Sequence, residues 1–554
     1  VSRKLVSARA VNSVRQIIIT GAVLSVALSS LVSTAVQSQG FPQRTFTPGE
    51  RVMTLFDGDG RKSRVAYHQG YLYTADQNQR MVRVWDISNE SNPNIIRTFQ
   101  DVGGSHGYGR TGDVIVFSPN AGFRATSANP SNPERFQFTR SLGSDREFYY
   151  PWMLTHHDGY GSPSGSLVVG DGRSGEVFSR PNPLGDAGVA GKAIMIGNLL
   201  IYAAMHSTSG VATYDISDPR NPVFLDSISN IGAYEPAIFG NFLTMAVGFN
   251  NADLHGGGQF NRGVTIVDFS DPSNLTVVGR IEDDELAGDH RYMQFKDEFM
   301  FVGRNKVDMN TRQVVQQFDT SNELVDFLLP IGHLVALGLQ LNGETEVFAH
   351  QSGLDTRAPA VAYHLPADGA VNQALSSRIG IVIHETLDTT TLVNGSSLIV
   401  RPAGGQAIDG TVFVSDMDII TFTPDSPLLP DTTYEVEMPA GGITDVAGNA
   451  IEGHEFRFST GNSLNDGNRP PVADPLQISS YPVGVQQSVR LSVNASDPDG
   501  DALEYRFDFG DGSARTPWTG SNSANHTYSN AGHFRAQVQV RDPSDEAVVK
   551  TRVV

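Results

Sequence analysis

The sequence predicts an all-β chain of several domains, and three observations carry that expectation. Gly (56) and Pro (29) are plentiful while long helical patterns are missing, which suits many short strands joined by turns. A strand-and-turn unit recurs through the first half at a period of roughly forty residues. Alternating apolar runs in the second half are broken by Pro, Asp and Gly turns. At 554 residues the chain exceeds one domain, and 39% hydrophobic with 18% charged residues is a globular composition.

The clearest copies of the repeat are VRVWDISNESNP (82–93), VATYDISDPRNP (211–222) and VTIVDFSDPSNL (264–275). Each is an alternating strand ending in Asp, then a turn whose Asp, Asn and Ser side chains can bond backbone amides. Weaker copies put the equivalent positions at Asp86, Thr126, Glu176, Asp215, Asp268, Asp308 and Phe348, at intervals of 39 to 53 residues. A second strand pair with a tight turn precedes the marker, as at Gln69-Gly70, Gly197-Asn198 and Gly240-Asn241. Each repeat thus supplies about four strands, and such a sheet buries both faces only by stacking around an axis. Seven copies predict a seven-bladed β-propeller over 51–355, with Arg51 to Phe56 as a strand that pairs with the last blade. The repeat resembles the LVIVD-repeat propellers, well in three copies and poorly in four, and that resemblance implies a surface-associated propeller without a shared chemistry.

Residues 356–461 read as a β-sandwich. The Pro-Ala-Asp-Gly turn at 366–369, Thr423-Pro424, the Leu-Pro-Asp-Thr-Thr-Tyr run at 429–434 and Asp445 to Asn449 resemble the bacterial Ig-like domain of the SbsA type. That likeness implies a spacer or adhesive stalk. A polar linker at 462–471 leads to a second Ig-like sandwich at 472–554, where Asp508 to Gly512 (DFGDG) and His526 to Val540 resemble a PKD domain. The alternating pattern runs on almost to Val554, so the sequence reads equally as a whole chain or as a piece of a longer one.

The first 35 residues read as a signal peptide, followed by a linker over 36–50. Arg3, Lys4, Arg9 and Arg15 lead an apolar run from Ile17 to Val32, and Ser33-Thr34-Ala35 offers a signal-peptidase site. The run is shorter than the roughly 20 residues that span a bilayer, so the expectation is cleavage with no stable membrane span. Cysteine is absent, which excludes disulfides, thiolate chemistry and a lipoprotein anchor, and points to a bacterial exported protein. The net charge of −20 argues against nucleic acid and suits an acidic periplasmic, cell-surface or extracellular protein.

No catalytic residue is assigned, because no nucleophile elbow, phosphate cradle or metalloprotease spacing is present. The candidate ligand-binding residues are His106, His156, His157, His206, His255 and His290, which fall mainly in loops that a propeller gathers at its channel mouths. Surface or hydrogen-bonded histidines are the competing reading. The long intervals hold Gly159 to Ser166 and Asn250 to Asn261, where insertions decorate a binding face. Asn494, Asp497, Asp499 and Asp501 cluster in one loop with hard oxygen ligands that suit Ca²⁺, or with carboxylates that cap turn amides. Asp57 and Asp59 form a second acidic turn, and Asp508 with Asp511 read as hairpin residues that define the fold. The expectation is a binding or adhesion-type scaffold that recognises a protein or polysaccharide through the propeller face. The alternative is a propeller hydrolase or lyase with the two sandwiches as accessories.

Overall fold

The computed structural model describes the chain from residue 41 onward, apart from 57–61, 77–80, 101–104, 120–123, 128–134, 138–145, 150–151, 156–165, 172–176, 182–192, 204–209, 219–221, 230, 232–235, 247–262, 283–284, 288–291, 323, 416–417, 463–470, 498–501, 533, 543–546 and 554. The expected signal peptide and cleavage site fall outside the described residues. Among those described there is no α-helix.

Seven antiparallel four-strand units follow one another among the described residues, over 62–100, 105–137, 146–181, 193–229, 237–281, 293–317 and 325–349. The second continues into an eight-stranded sheet with strands of the Ig-like module, and the fourth into a seven-stranded sheet with strands of the last module. The last of them takes its fourth strand from Arg51–Phe56, which pairs with Glu344–Ala349 as the sequence predicted. First strands pack on first strands. Lys62–His68 lies against both Ser105–Thr111 and Val325–Ile331, and Met293–Lys296 lies against both Ala237–Phe239 and Val325–Ile331. The fourth and fifth sheets share a core that includes Ile194, Tyr202, Ile238 and Met245.

The recurring Asp-apolar-Ser segment has a physical explanation. The Asp closes the third strand, and its Oδ1 accepts the amide two residues on: Ser88 to Asp86 at 2.9 Å, Ser217 to Asp215 at 2.6 Å, Ser270 to Asp268 at 2.8 Å. The residue between them, Ile87, Ile216 or Phe269, is fully buried. Its own N–H ties the turn to the neighbouring hairpin, Ile216 to Asn198 O at 2.8 Å and Phe269 to Asn241 O at 3.0 Å. The sequence thus repeats because the geometry does. In the third sheet the matching strand ends at Asp171, not at Glu176, which lies outside the described residues. In the second and seventh sheets it ends at Ser127 and Ala349, one residue past the expected markers. Where the Asp is lost, nothing local fixes the register of a sequence comparison.

The Ig-like module is two four-stranded sheets around a core of Ile381, Leu398, Phe422, Tyr434 and Phe456. The last module closes Leu491, Phe507, Tyr528 and Val538 between Glu504–Asp508, Arg535–Arg541 and the smaller sheet of Gln477–Ile478, Ser488–Ser492 and Ser523–Thr527. Asp508 and Asp511 accept turn amides from Gly510 and Ser513, and Asp511 also pairs with His526 at 2.7 Å.

Candidate functional site: two unlike ends of the sheets

Antiparallel pairing gives each four-stranded sheet two ends. One holds the hairpin between its first and second strands. The other holds the connection between its second and third strands and the link to the next sheet. The described hairpin tips include Gln69-Gly70, Gly112-Asp113, Gly197-Asn198, Gly240-Asn241, Asp297-Glu298 and Gly332-His333. At the last five the first residue has positive φ, between 52° and 60°, as two-residue hairpins of this kind require.

The Ig-like module sits on these tips, not at the far end of a stalk. Thr389 donates to Gly112 O at 2.9 Å, Thr386 to Pro330 O at 3.1 Å, and Arg378 N–H to Asn198 Oδ1 at 3.2 Å. Gly380 packs so tightly that a Cβ there would overlap the backbone of Ile196 and Gly197. One strand of the module, Gly410–Ser415, adds to the first strand of the second sheet, pairing Val414 with Arg110 and Ser415 with Gly109. Phe413 fills the space that a side chain at Gly109 would need. Arg110 forms a buried ion pair with Asp418 and donates to Leu387 O at 2.9 Å.

His384 fastens the fifth and sixth hairpins together. Its Nδ1 donates to Asp297 O at 3.2 Å, its Nε2 accepts the Gly240 N–H at 3.3 Å, and its ring stacks on Phe239. Burial lowers its pKa to about 4, so the ring is neutral and both nitrogens are used. Beside it, Lys296 donates to Asp355 at 2.8 Å and to Glu385, with all three side chains buried. Asp445 joins them, so that Asp355, Glu385 and Asp445 bring carboxylate oxygens within 4.8 Å of one another. Three carboxylates are a donor set for a hard cation, but the ammonium of Lys296 already supplies the positive charge between two of them. Burial pushes the Asp445 carboxyl up to about 6.

The last module meets the fourth sheet at another place. Phe224 pairs with Ala547, and Asp226 is fully buried beneath Arg506 (2.6 Å), Arg515 (3.0 Å) and Gln539 (2.6 Å). Asp226 also accepts the Leu275 N–H at 2.7 Å, which ties in the fifth sheet.

The sequence-predicted site residues fall elsewhere. His106 is in the strand Ser105–Thr111, at its start. His156, His157, His206, His255 and His290 lie outside the described residues. The described strand ends that flank these five, such as Thr155 and Ser166, Ala203 and Gly210, and Ala246 and Val264, are all at the end opposite the Ig-like module. Of the proposed calcium ligands, Asn494 and Asp497 are described, while Asp499 and Asp501 lie outside, as do Asp57 and Asp59. Sequence reading missed Lys296, Asp355, Glu385, Arg110, Asp418 and Asp226 as a set. Their partners are 59 to 308 residues away, and no local spacing marks them.

Family models match three parts of the chain. Residues 59–101 and 258–283 match the LVIVD repeat, residues 355–460 the bacterial Ig-like domain, and residues 475–554 the PKD domain. These matches bear out all three resemblances, in their expected order. Similar solved structures include the computationally designed Ika8 protein, at 11% identity and TM-score 0.38, covering 54% of this chain and all of that one. The WD40 beta propeller domain of Doa1 is similar at 10% identity and TM-score 0.41, covering 55% of this chain and 98% of that one. No curated protein matches the chain.

Proposed function

We propose that this chain is an exported, adhesion-type scaffold whose seven sheets close as a seven-bladed propeller and whose ligand, a protein or polysaccharide, is taken at one end only. The observation that carries the reading is the Ig-like module on the hairpin tips. It leaves the opposite end as the face for a partner. In sequence, the connections there carry both long insertions and five of the six candidate histidines, and His106 stands at the start of a first strand at the same end. Matches to Ig-like and PKD domains support export to the cell surface, periplasm or medium. No described helix is long and apolar enough to cross a membrane.

A glycan and protein-ligand screen on the full chain tests this reading, followed by the double variant His206→Ala/His255→Ala. We expect a ligand whose binding the double variant abolishes and Thr389→Ala leaves intact. A ligand lost only on substitution at the hairpin end would overturn it. The loop from Asn494 to Asp501 is assigned to Ca²⁺ in the same reading, and a melting point unmoved by chelator would remove that assignment.

A further inference from the structure

We propose that Lys296 and Asp355 become joined by an isopeptide bond, with Glu385 carrying the protons, so that the sixth sheet and the Ig-like module are covalently tied. The observation is a lysine in a dry cluster. The side chains of Lys296, Asp355 and Glu385 are 1%, 2% and 2% exposed, and Nζ bonds both carboxylates. The reaction begins when Nζ passes one proton to Asp355 Oδ2 along their hydrogen bond, which gives a neutral amine beside a neutral acid. A neutral lysine amine is a nucleophile. With Oδ2 at 2.8 Å from Nζ, the Asp355 carboxyl carbon is one bond further on, within the reach of a near-attack arrangement.

The step balances without any other reagent. Glu385 takes a proton from Nζ as the Nζ–Cγ bond forms. It returns that proton to the leaving oxygen, the Cγ–Oδ2 bond breaks, and one water departs. Amine plus carboxylic acid becomes amide plus water, with no oxidation or reduction.

Two features separate the roles of the carboxylates. Asp355 lies on the segment between strands Glu344–Ala349 and Val361–Leu365, without ladder bonds to hold it back from Nζ. Its Oδ1 accepts the Arg357 N–H at 3.1 Å and remains as the amide oxygen. Glu385 lies two residues past the strand Ile379–Ile383, after His384, and its Oε1 accepts the Thr386 N–H at 3.1 Å, which leaves Oε2 toward the lysine. Asp445 stands alongside with its carboxyl raised to about 6, so a group that readily holds a proton adjoins the pair.

Tandem mass spectrometry on a proteolytic digest of the folded full chain tests the proposal. The expected product is a branched peptide joining Lys296 to Asp355, one water lighter than its two parts, with loss of the linear Lys296 peptide. Linear Lys296 and Asp355 peptides from cooperatively melting protein would overturn it, and so would a branch to Glu385. Glu385→Gln, with folding confirmed by a cooperative melt, should restore the linear peptides. A branch that persists in this variant would overturn the role of Glu385.

Discussion

The two C-terminal modules grip the repeat region in opposite ways. The Ig-like module spreads its hold over several hairpin tips, through backbone carbonyls, an added strand, close glycine packing and two separate buried ion pairs, Arg110–Asp418 and Lys296–Glu385. The last module concentrates its hold on a single carboxylate, Asp226, which meets two arginines and a glutamine. A distributed contact loses little when one group goes. A contact centred on one buried charge loses most of its strength when that charge goes, because its partners stay buried without compensation.

The sharpest way to break the contrast is Asp226→Ala. It strands Arg506, which is 5% exposed, and should cost about 3–5 kcal/mol in denaturant unfolding. It should also open the junction around 462–471 to limited proteolysis, while the Ig-like contact persists. Gly380→Ala comes next. Its methyl group meets backbone, not a side chain that can swing away, and overpacking of this kind costs about 1–3 kcal/mol. The same unfolding measurement should show a smaller loss than for Asp226→Ala.

Acid should loosen the Ig-like contact more gently. His384 and His68 are held neutral by burial, with pKa values lowered to about 4 and about 3. The unfolded chain therefore binds more protons than the folded one. The stability these rings contribute is complete above pH 6.5 and is lost as pH falls toward those values. Asp445, raised to about 6, works in the opposite sense: its contribution is complete below pH 3.8 and is lost as pH rises through 6. Among the described residues six lowered rings act against two raised carboxyls, Asp297 and Asp445, so the melting temperature should fall between pH 6.5 and 4, and less so in His384→Asn. The smallest effect is expected from Asp268→Ala, which removes the turn bond from Ser270 and the bond from Asn241 at a partly exposed site and should lower the unfolding free energy by about 1 kcal/mol.

What was legible in the sequence follows the range of the forces involved. The Asp-Ile-Ser turns could be read because the bond from the Ser amide to the Asp carboxylate spans only two residues. The pairing of Arg51–Phe56 with the last sheet was legible for a different reason: it is a strand left unassigned before the first repeat, and a closed ring gives it a place beside the last one. The third copy misled because a turn without its Asp can be placed several residues off. The docking of the Ig-like module left no trace in the sequence. Gly380 and Lys296 look ordinary beside their neighbours, and only the fold brings them against Gly197 and Asp355. Family likeness described the module well and implied a stalk, because a module's own core says nothing about what its outer surface touches.

The pairing of Arg51–Phe56 with Glu344–Ala349 also sets a timetable. Arg51 and Glu346 are 295 residues apart, so Met53 and Leu55 stay without their sheet until most of the chain has been made. A nascent chain stopped before residue 344 would carry an orphaned apolar strand at its front, open to any exposed sheet edge. Completion is signalled from the back of the molecule to its beginning, and premature release would be penalised by aggregation more than by loss of a single sheet.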